Sequence, residues 1–284
     1  MNQKFTVPFI YPQTLFKFTK MFRRERKAQK VLNDFQRNLL EKRRAALNLK
    51  DAKNNNCDEG IERNILIDHI ILNEENFTPD EIRDHILTFV SGYETWGMSL
   101  AHSMLLLAMH PEVQEKLFQE VQKHIKSDDD LKKTEIVNSI EYLELVQREI
   151  FRLMPPVPMV LRETLEDFEL EPGLIIPKNQ KILLNFYALH RQPALWGNDA
   201  NEFKPERFLP ENSEGRNPFA YVPFSGGPRI CIAFKYSVIS LKIAMIQLLL
   251  HYKFTTSMKM EDIKLKSYIS LKLCSPHSMQ IQKR

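Results

Sequence analysis

Prolines outnumber glycines sixteen to eight in this chain, and that ratio constrains its fold more than any other feature. Glycine is the residue that accepts left-handed backbone, so a glycine-rich barrel or dinucleotide-binding unit is disfavoured. Proline stops helices, so long helices with firm ends are expected. The 284 residues are enough to bury a sizeable core. With 43% hydrophobic and 27% charged residues, the composition excludes a disordered or collagen-like protein. Cys57, Cys231 and Cys274 are too few and too scattered for a disulfide framework, which points to a reducing compartment.

The clearest helix start is Thr78-Pro79-Asp80-Glu81. Thr78 can cap, Pro79 suits the first helical position and Glu81 completes a capping box. The next breaker is Pro111, so one long central helix is expected over 78–109. A basic helix is expected over 20–44, with apolar Ala28, Val31, Phe35 and Leu39 at helical spacing. Between Lys17 and Arg44 eleven Lys/Arg face three Asp/Glu, a local charge of +8 against +4 for the whole chain. Such a segment is a solvated face, or one that meets an anionic membrane surface or nucleic acid.

Residues 50–60 read as a polar linker and 63–72 as a short helix. Further helices follow Pro111 and span 139–153. Short strands are expected at 159–163, 174–176 and 182–185, and two or three more within 262–284. Residues 192–223 show little periodicity, and a loop this long inside a domain is usually functional or packs on itself. Helical periodicity returns from Ile232 to about His251. The apolar run Val238–Leu250, interrupted by Lys242 and Gln247, is too short to cross a bilayer. The fold class is mainly α with a small β part.

The chemistry concentrates in Phe224-Ser225-Gly226-Gly227-Pro228-Arg229-Ile230-Cys231-Ile232-Ala233, which opens the last long helix. A glycine-bearing loop delivers a thiol beside a helix start, where free N–H groups and the helix dipole favour the thiolate. Arg229 supplies a cation for a carboxylate or another anion. Such a thiolate is a nucleophile or a metal ligand; by itself the residue reads more readily as a small buried hydrophobe, as most free cysteines are.

The segment resembles the haem-binding signature of cytochromes P450, F-x-x-G-x-R-x-C-x-G, at Phe224, Gly227, Arg229 and Cys231, with Ala233 in place of the last glycine. The resemblance implies that Cys231 is the axial thiolate of haem iron, that Phe224 packs against the thiolate side and that Arg229 pairs with a haem propionate. Glu149 and Arg152 match the family's E-x-x-R motif, and Pro205-Glu206-Arg207-Phe208 its P-E-R-F loop. By resemblance Glu149, Arg152 and Arg207 form a triad that locks the 192–223 loop. Ser91-Gly92-Tyr93-Glu94-Thr95-Trp96 looks like the oxygen-activation motif. There Gly92 would leave room for oxygen, Thr95 would supply a hydroxyl to it and Glu94 would relay protons. Ser91 and Trp96 depart from the pattern, and Trp96 is bulky beside the acid–alcohol pair. By the same pattern Pro158, Met159, Val160 and Leu161 line a substrate pocket and Arg162 meets a propionate. His190 reads as structural, with no second ligand at metal spacing.

The wording is most similar to microsomal, family-4-like insect members, and covers the C-terminal portion, 1–284, of a single domain of that fold. Many family-4 members carry a glutamate where Ser91 stands, so haem held non-covalently is expected. The implied activity is a monooxygenase that inserts one atom of O2 into a lipophilic substrate, a fatty acid or a foreign compound. Electrons would come from NADPH through cytochrome P450 reductase, with cytochrome b5 as a further partner. The implied setting is the cytoplasmic face of the endoplasmic reticulum membrane, with membrane contact and no nucleic acid. The alternative is a truncated product that keeps the thiol loop but cannot hold haem or oxygenate. An isomerase or dehydratase is disfavoured by Thr95.

Overall fold

The computed structural model describes residues 16–53, 65–267, 269–274 and 278–284. The chain separates into two compact units, Met1–Gly92 and Tyr93–Arg284.

In the first unit the basic segment is helical over Lys20–Lys53 (α1), longer than expected and running into the start of the anticipated linker. The rest of that linker, with Cys57, lies outside the described residues. The apolar side read from the spacing is not the packed side. Val31 and Phe35 are exposed, while Gln36 is buried and its amide donates to the Arg83 carbonyl at 3.2 Å. Leu40 packs with Ile70, Ile82 and Ile86 from the helices Leu66–Leu72 (α2) and Pro79–Ser91 (α3). Arg43 grips the fully buried Asp68 carboxylate with two guanidinium nitrogens. Periodicity reveals a stripe but not which neighbours exist to cover it, and here those neighbours cover the Gln36–Leu40–Arg43 side.

The expected capping box is present: the Thr78 N–H donates to Glu81 Oε2 at 2.8 Å, and the Glu81 N–H to Thr78 Oγ1 at 3.3 Å. The single helix over 78–109 is not. α3 ends at Ser91, and a separate helix, Tyr93–Met109 (α4), begins the second unit. The cause lies in the local sequence. The Thr88 and Ser91 hydroxyls donate back to the carbonyls of Asp84 and Thr88, which bends helices. Glycine follows, with poor helix propensity, and its N–H donates to the Phe89 carbonyl at 3.2 Å, the tighter three-residue spacing.

The second unit is built on four longer helices: α4, Pro111–His124 (α5), Glu141–Leu153 (α6) and Phe234–His251 (α7). Leu106, Leu107, Leu117, Val121, Leu143, Ile150, Met245 and Leu249 fill a core between them with essentially no exposure. Pro111 opens α5 and ends α4, as expected. The α6 expectation of 139–153 holds within two residues. α7 is long and apolar enough by length and composition to span a bilayer, which corrects the expectation from its shorter apolar run; Leu241, Met245, Ile246 and Leu249 are buried among the other helices.

All the described sheets are two-stranded and antiparallel. Met159–Glu163 (β1) pairs with Lys181–Asn185 (β4), with Arg162 opposite Ile182. Phe168–Glu171 (β2) forms a hairpin with Leu174–Ile176 (β3). Tyr252–Thr255 (β5) pairs with Gln280–Lys283 (β8), and Leu265–Ser267 (β6) with Leu271–Leu273 (β7). Gln114 fastens β5 to the helices. Its buried amide donates to the carbonyls of Leu107 and Phe254 at 2.9 and 2.8 Å and accepts from the Phe254 N–H at 2.9 Å.

Candidate functional site

The segment between β4 and α7 carries no long element, yet it is fixed. Glu149 and Arg152 share one face of α6 and are fully buried, so they are not the weak surface pair that their spacing alone also allows. Arg152 donates through Nε and Nη2 to the two Glu149 oxygens at 2.7 and 2.8 Å. Its remaining donors reach the carbonyls of His190 (2.7 Å), Ala200 (2.5 Å) and Glu202 (3.0 Å). Glu149 also accepts from the Lys204 N–H at 2.8 Å and from Arg207 Nε at 3.4 Å. Arg207 in turn donates to the carbonyls of Trp196 and Asp199 and to the Asp199 carboxylate. The Arg207 hydrogen bond holds the Asp199 carboxyl at about 2, well below its ordinary value. The three expected residues therefore meet, and the charges they bury are paired and hydrogen-bonded, as burial demands.

The thiol loop follows directly. Tyr221 donates its hydroxyl to the Arg148 carbonyl, and the Val222 N–H donates to His190 Nε2 at 3.0 Å. Phe224 sits edge-on between Phe151 and Phe234, with ring centroids 5.1 and 4.8 Å away. The Ser225 N–H returns to the Val222 carbonyl, and the Cys231 N–H to the Phe224 carbonyl at 3.0 Å. These two bonds close the loop and present Cys231, a free and exposed thiol, just ahead of α7. Gly227 adopts φ +66°, the left-handed backbone its place in the motif requires. Arg229 is exposed, and its guanidinium takes no partner among the described residues. Arg162, at the end of β1, reaches the same loop, donating from Nη2 to Ser225 Oγ at 3.0 Å and from Nη1 to the Leu161 carbonyl.

Other expected residues are placed separately. Gly92 closes the first unit. Glu94 and Thr95 lie in the first turn of α4, both half-buried. Glu94 is ion-paired with Lys272 of β7. The hydrogen bond from Lys272 holds its carboxyl below the ordinary carboxylate range against the opposing cost of burial, and the Lys272 charge and Ser270 add to this. Trp96 turns its indole toward the core and donates to Ser240 Oγ at 2.9 Å. Its bulk is thus absorbed by packing on α7. Pro158 is buried, Met159 and Val160 are half-buried and Leu161 is exposed along β1.

Sequence reasoning missed the parts played by Ser225, Lys272 and Asp199. His190 was read as structural, and the structure adds its specific task of accepting the Val222 N–H. Burial, aided by the Arg152 charge, pulls its imidazole down to about 4, so it is neutral at pH 7 and able to accept there.

The model of the family described as cytochrome P450 matches residues 1–280. The chain is similar to "Probable cytochrome P450 313a4" of Drosophila melanogaster, 36% identical over 73% of this chain and 42% of that protein. It is also similar to "Probable cytochrome P450 4p3" of the same fly (34%, covering 93% and 53%) and to "Cytochrome P450 4c21" of Blattella germanica (32%, covering 94% and 54%). It therefore spans about half the length of the curated relatives it matches. A crystal structure of the haem domain of a cytochrome P450DA triple mutant superposes with a TM-score of 0.66 at 26% identity, covering 73% of this chain and 45% of that one. The buried Glu149–Arg152–Arg207 cluster, the closed thiol loop and a family match over nearly every residue agree: the chain belongs to the cytochrome P450 family.

Proposed function

We propose that this chain is the thiolate-bearing part of a haem monooxygenase that inserts one oxygen atom from O2 into a lipophilic substrate. Haem is the cofactor of the family, and the residues present fit it. Among the described residues no cluster of three or more His, Cys, Asp or Glu is arranged to hold a metal ion. The observation that carries the reading is the closed loop that holds an exposed thiol at Cys231 with Arg162 fastened to the same loop.

In this reading the Cys231 sulfur would hold the iron, and Arg162 and Arg229 would pair with the cofactor's carboxylates. Phe224, held between two aromatic rings, backs the thiol loop. When bound, a haem with a thiolate ligand supplies O2 activation, because the sulfur pushes electron density toward the metal. Glu94 exchanges protons with water, and the Thr95 hydroxyl hands them toward the reacting centre. Lys272 keeps Glu94 ionised, so it accepts a proton before donating one. Gly92 leaves space for oxygen, and Pro158, Met159, Val160 and Leu161 offer an apolar wall to substrate. The two units belong to one domain of the family's fold. The partners are NADPH–cytochrome P450 reductase and cytochrome b5, and the setting is the endoplasmic reticulum membrane. The cationic face of α1 suits an anionic lipid surface.

The test is the absorption spectrum of the reduced, CO-treated chain after haem reconstitution. A thiolate-type Soret band is expected, and Cys231→Ala abolishes it. A chain that takes up no haem refutes the reading and favours the incompetent-fragment alternative.

A further inference from the structure

Ser225 stands in left-handed backbone, with φ +64°. That conformation disfavours any residue with a Cβ, and glycine is its natural occupant. The same loop uses glycine for it two residues later, at Gly227 with φ +66°. Gly226, between them, is extended at φ −157° and needs no glycine for its backbone. The chain thus keeps a side chain at the strained position. That side chain is in use: its hydroxyl accepts from Arg162 Nη2 at 3.0 Å.

This contact joins two elements that are far apart in sequence. Arg162 projects from β1, and it also donates to its neighbour's carbonyl, at Leu161. A long guanidinium side chain is costly to order, and one hydrogen bond from a fixed loop removes much of its freedom. Two of its five N–H donors are engaged, which leaves the rest of the planar fork for a carboxylate.

Resting on the haem reading above, we infer that Ser225 is a positioning residue: its hydroxyl, held out by left-handed backbone, aims Arg162 at a haem propionate. Backbone strain at Ser225 is retained because relieving it with glycine would lose the hydroxyl. The consequence is selectivity for the ionised carboxylate rather than for the porphyrin plane, since Arg162 reads charge and Phe224 and the loop backbone read shape.

The experiment compares uptake of haem and of haem dimethyl ester, which lacks the carboxylate charges, by the full chain. Soret titrations give the two affinities for wild type, Ser225→Ala, Ser225→Gly and Arg162→Gln. Ser225→Ala removes the hydroxyl and keeps the strain; Ser225→Gly removes both. Wild type is expected to prefer haem over its ester by about tenfold or more, as charge-assisted pairing provides. Both Ser225 variants are expected to lower that ratio at least about threefold, toward that of Arg162→Gln. An unchanged ratio in both overturns the inference. So does an equal weakening toward haem and ester, which would mark Ser225 as a loop-shape residue only. Either result leaves the haem reading intact through the wild-type titration. Absence of uptake by wild type refutes the haem reading, and this inference with it.

Discussion

Arg152 uses all of its donors. A guanidinium has five N–H groups, and this one makes five hydrogen bonds: two to Glu149 and one each to the carbonyls of His190, Ala200 and Glu202. Arg152→Lys keeps the charge beside buried Glu149 but offers three donors from one nitrogen. At least two of the five acceptor contacts are then lost. Each unsatisfied buried acceptor costs about 1–3 kcal/mol, so the substitution should destabilise the chain by about 4 kcal/mol. That is a large fraction of the 5–15 kcal/mol typical of a folded domain, by order of magnitude. Urea denaturation followed by circular dichroism reads it as a lowered midpoint at unchanged slope. Hydrogen exchange should accelerate over residues 192–208, the stretch Arg152 fastens. Arg37→Lys, at the exposed pair with Asp34 on α1, is the charge-matched control and should change stability by roughly 0.5 kcal/mol or less. An Arg152→Lys loss below about 1 kcal/mol would refute the view that carbonyl recognition, rather than charge alone, fixes this loop.

The remaining predictions concern His190 behind the thiol loop and Gln114 at β5. His190 has a folded value of about 4 against an ordinary 6.5, so the unfolded chain binds its proton first as pH falls. Its contribution is full above pH 6.5 and is lost between 6.5 and 4, about 3 kcal/mol in all and roughly 2 kcal/mol by pH 5. Thermal melts from pH 7 to 5 should show this loss in wild type and a flatter profile in His190→Gln; parallel profiles would count against it. Gln114→Leu strands the N–H and carbonyl of Phe254 in β5 and the carbonyl of Leu107 in α4, and should cost about 3 kcal/mol in a urea titration. A near-neutral result would mean that β5 finds other partners.

What was legible in the sequence follows from how local its cause is. The Thr78–Glu81 cap and the α6 face bearing Glu149 and Arg152 are settled within a few residues, and the structure places them as read. The long central helix was misread because residues 80–109 lack proline, while the break comes from a glycine preceded by back-bonding hydroxyls. The packed side of α1 was misread because an apolar stripe does not say what lies opposite it. Val31 and Phe35 satisfy the spacing and remain exposed. The Glu94–Lys272 and Arg162–Ser225 pairs join distant segments, and nothing near either residue announces its partner. Ser225 was hidden for a further reason: its backbone angle has no letter in the sequence unless glycine marks it.

Arg152 grips three carbonyl oxygens, and a carbonyl belongs to every amino acid. The loop is therefore recognised by its path rather than by its letters. Side chains at positions such as 198 and 201 are free to drift through substitution without loosening the grip. Adding or deleting one residue between His190 and Glu202 would slide the oxygens out of register and release the whole stretch. The exposed positions of the segment should accordingly vary while its length holds, a pattern of tolerance opposite to that of an ordinary surface loop, which accepts insertions readily.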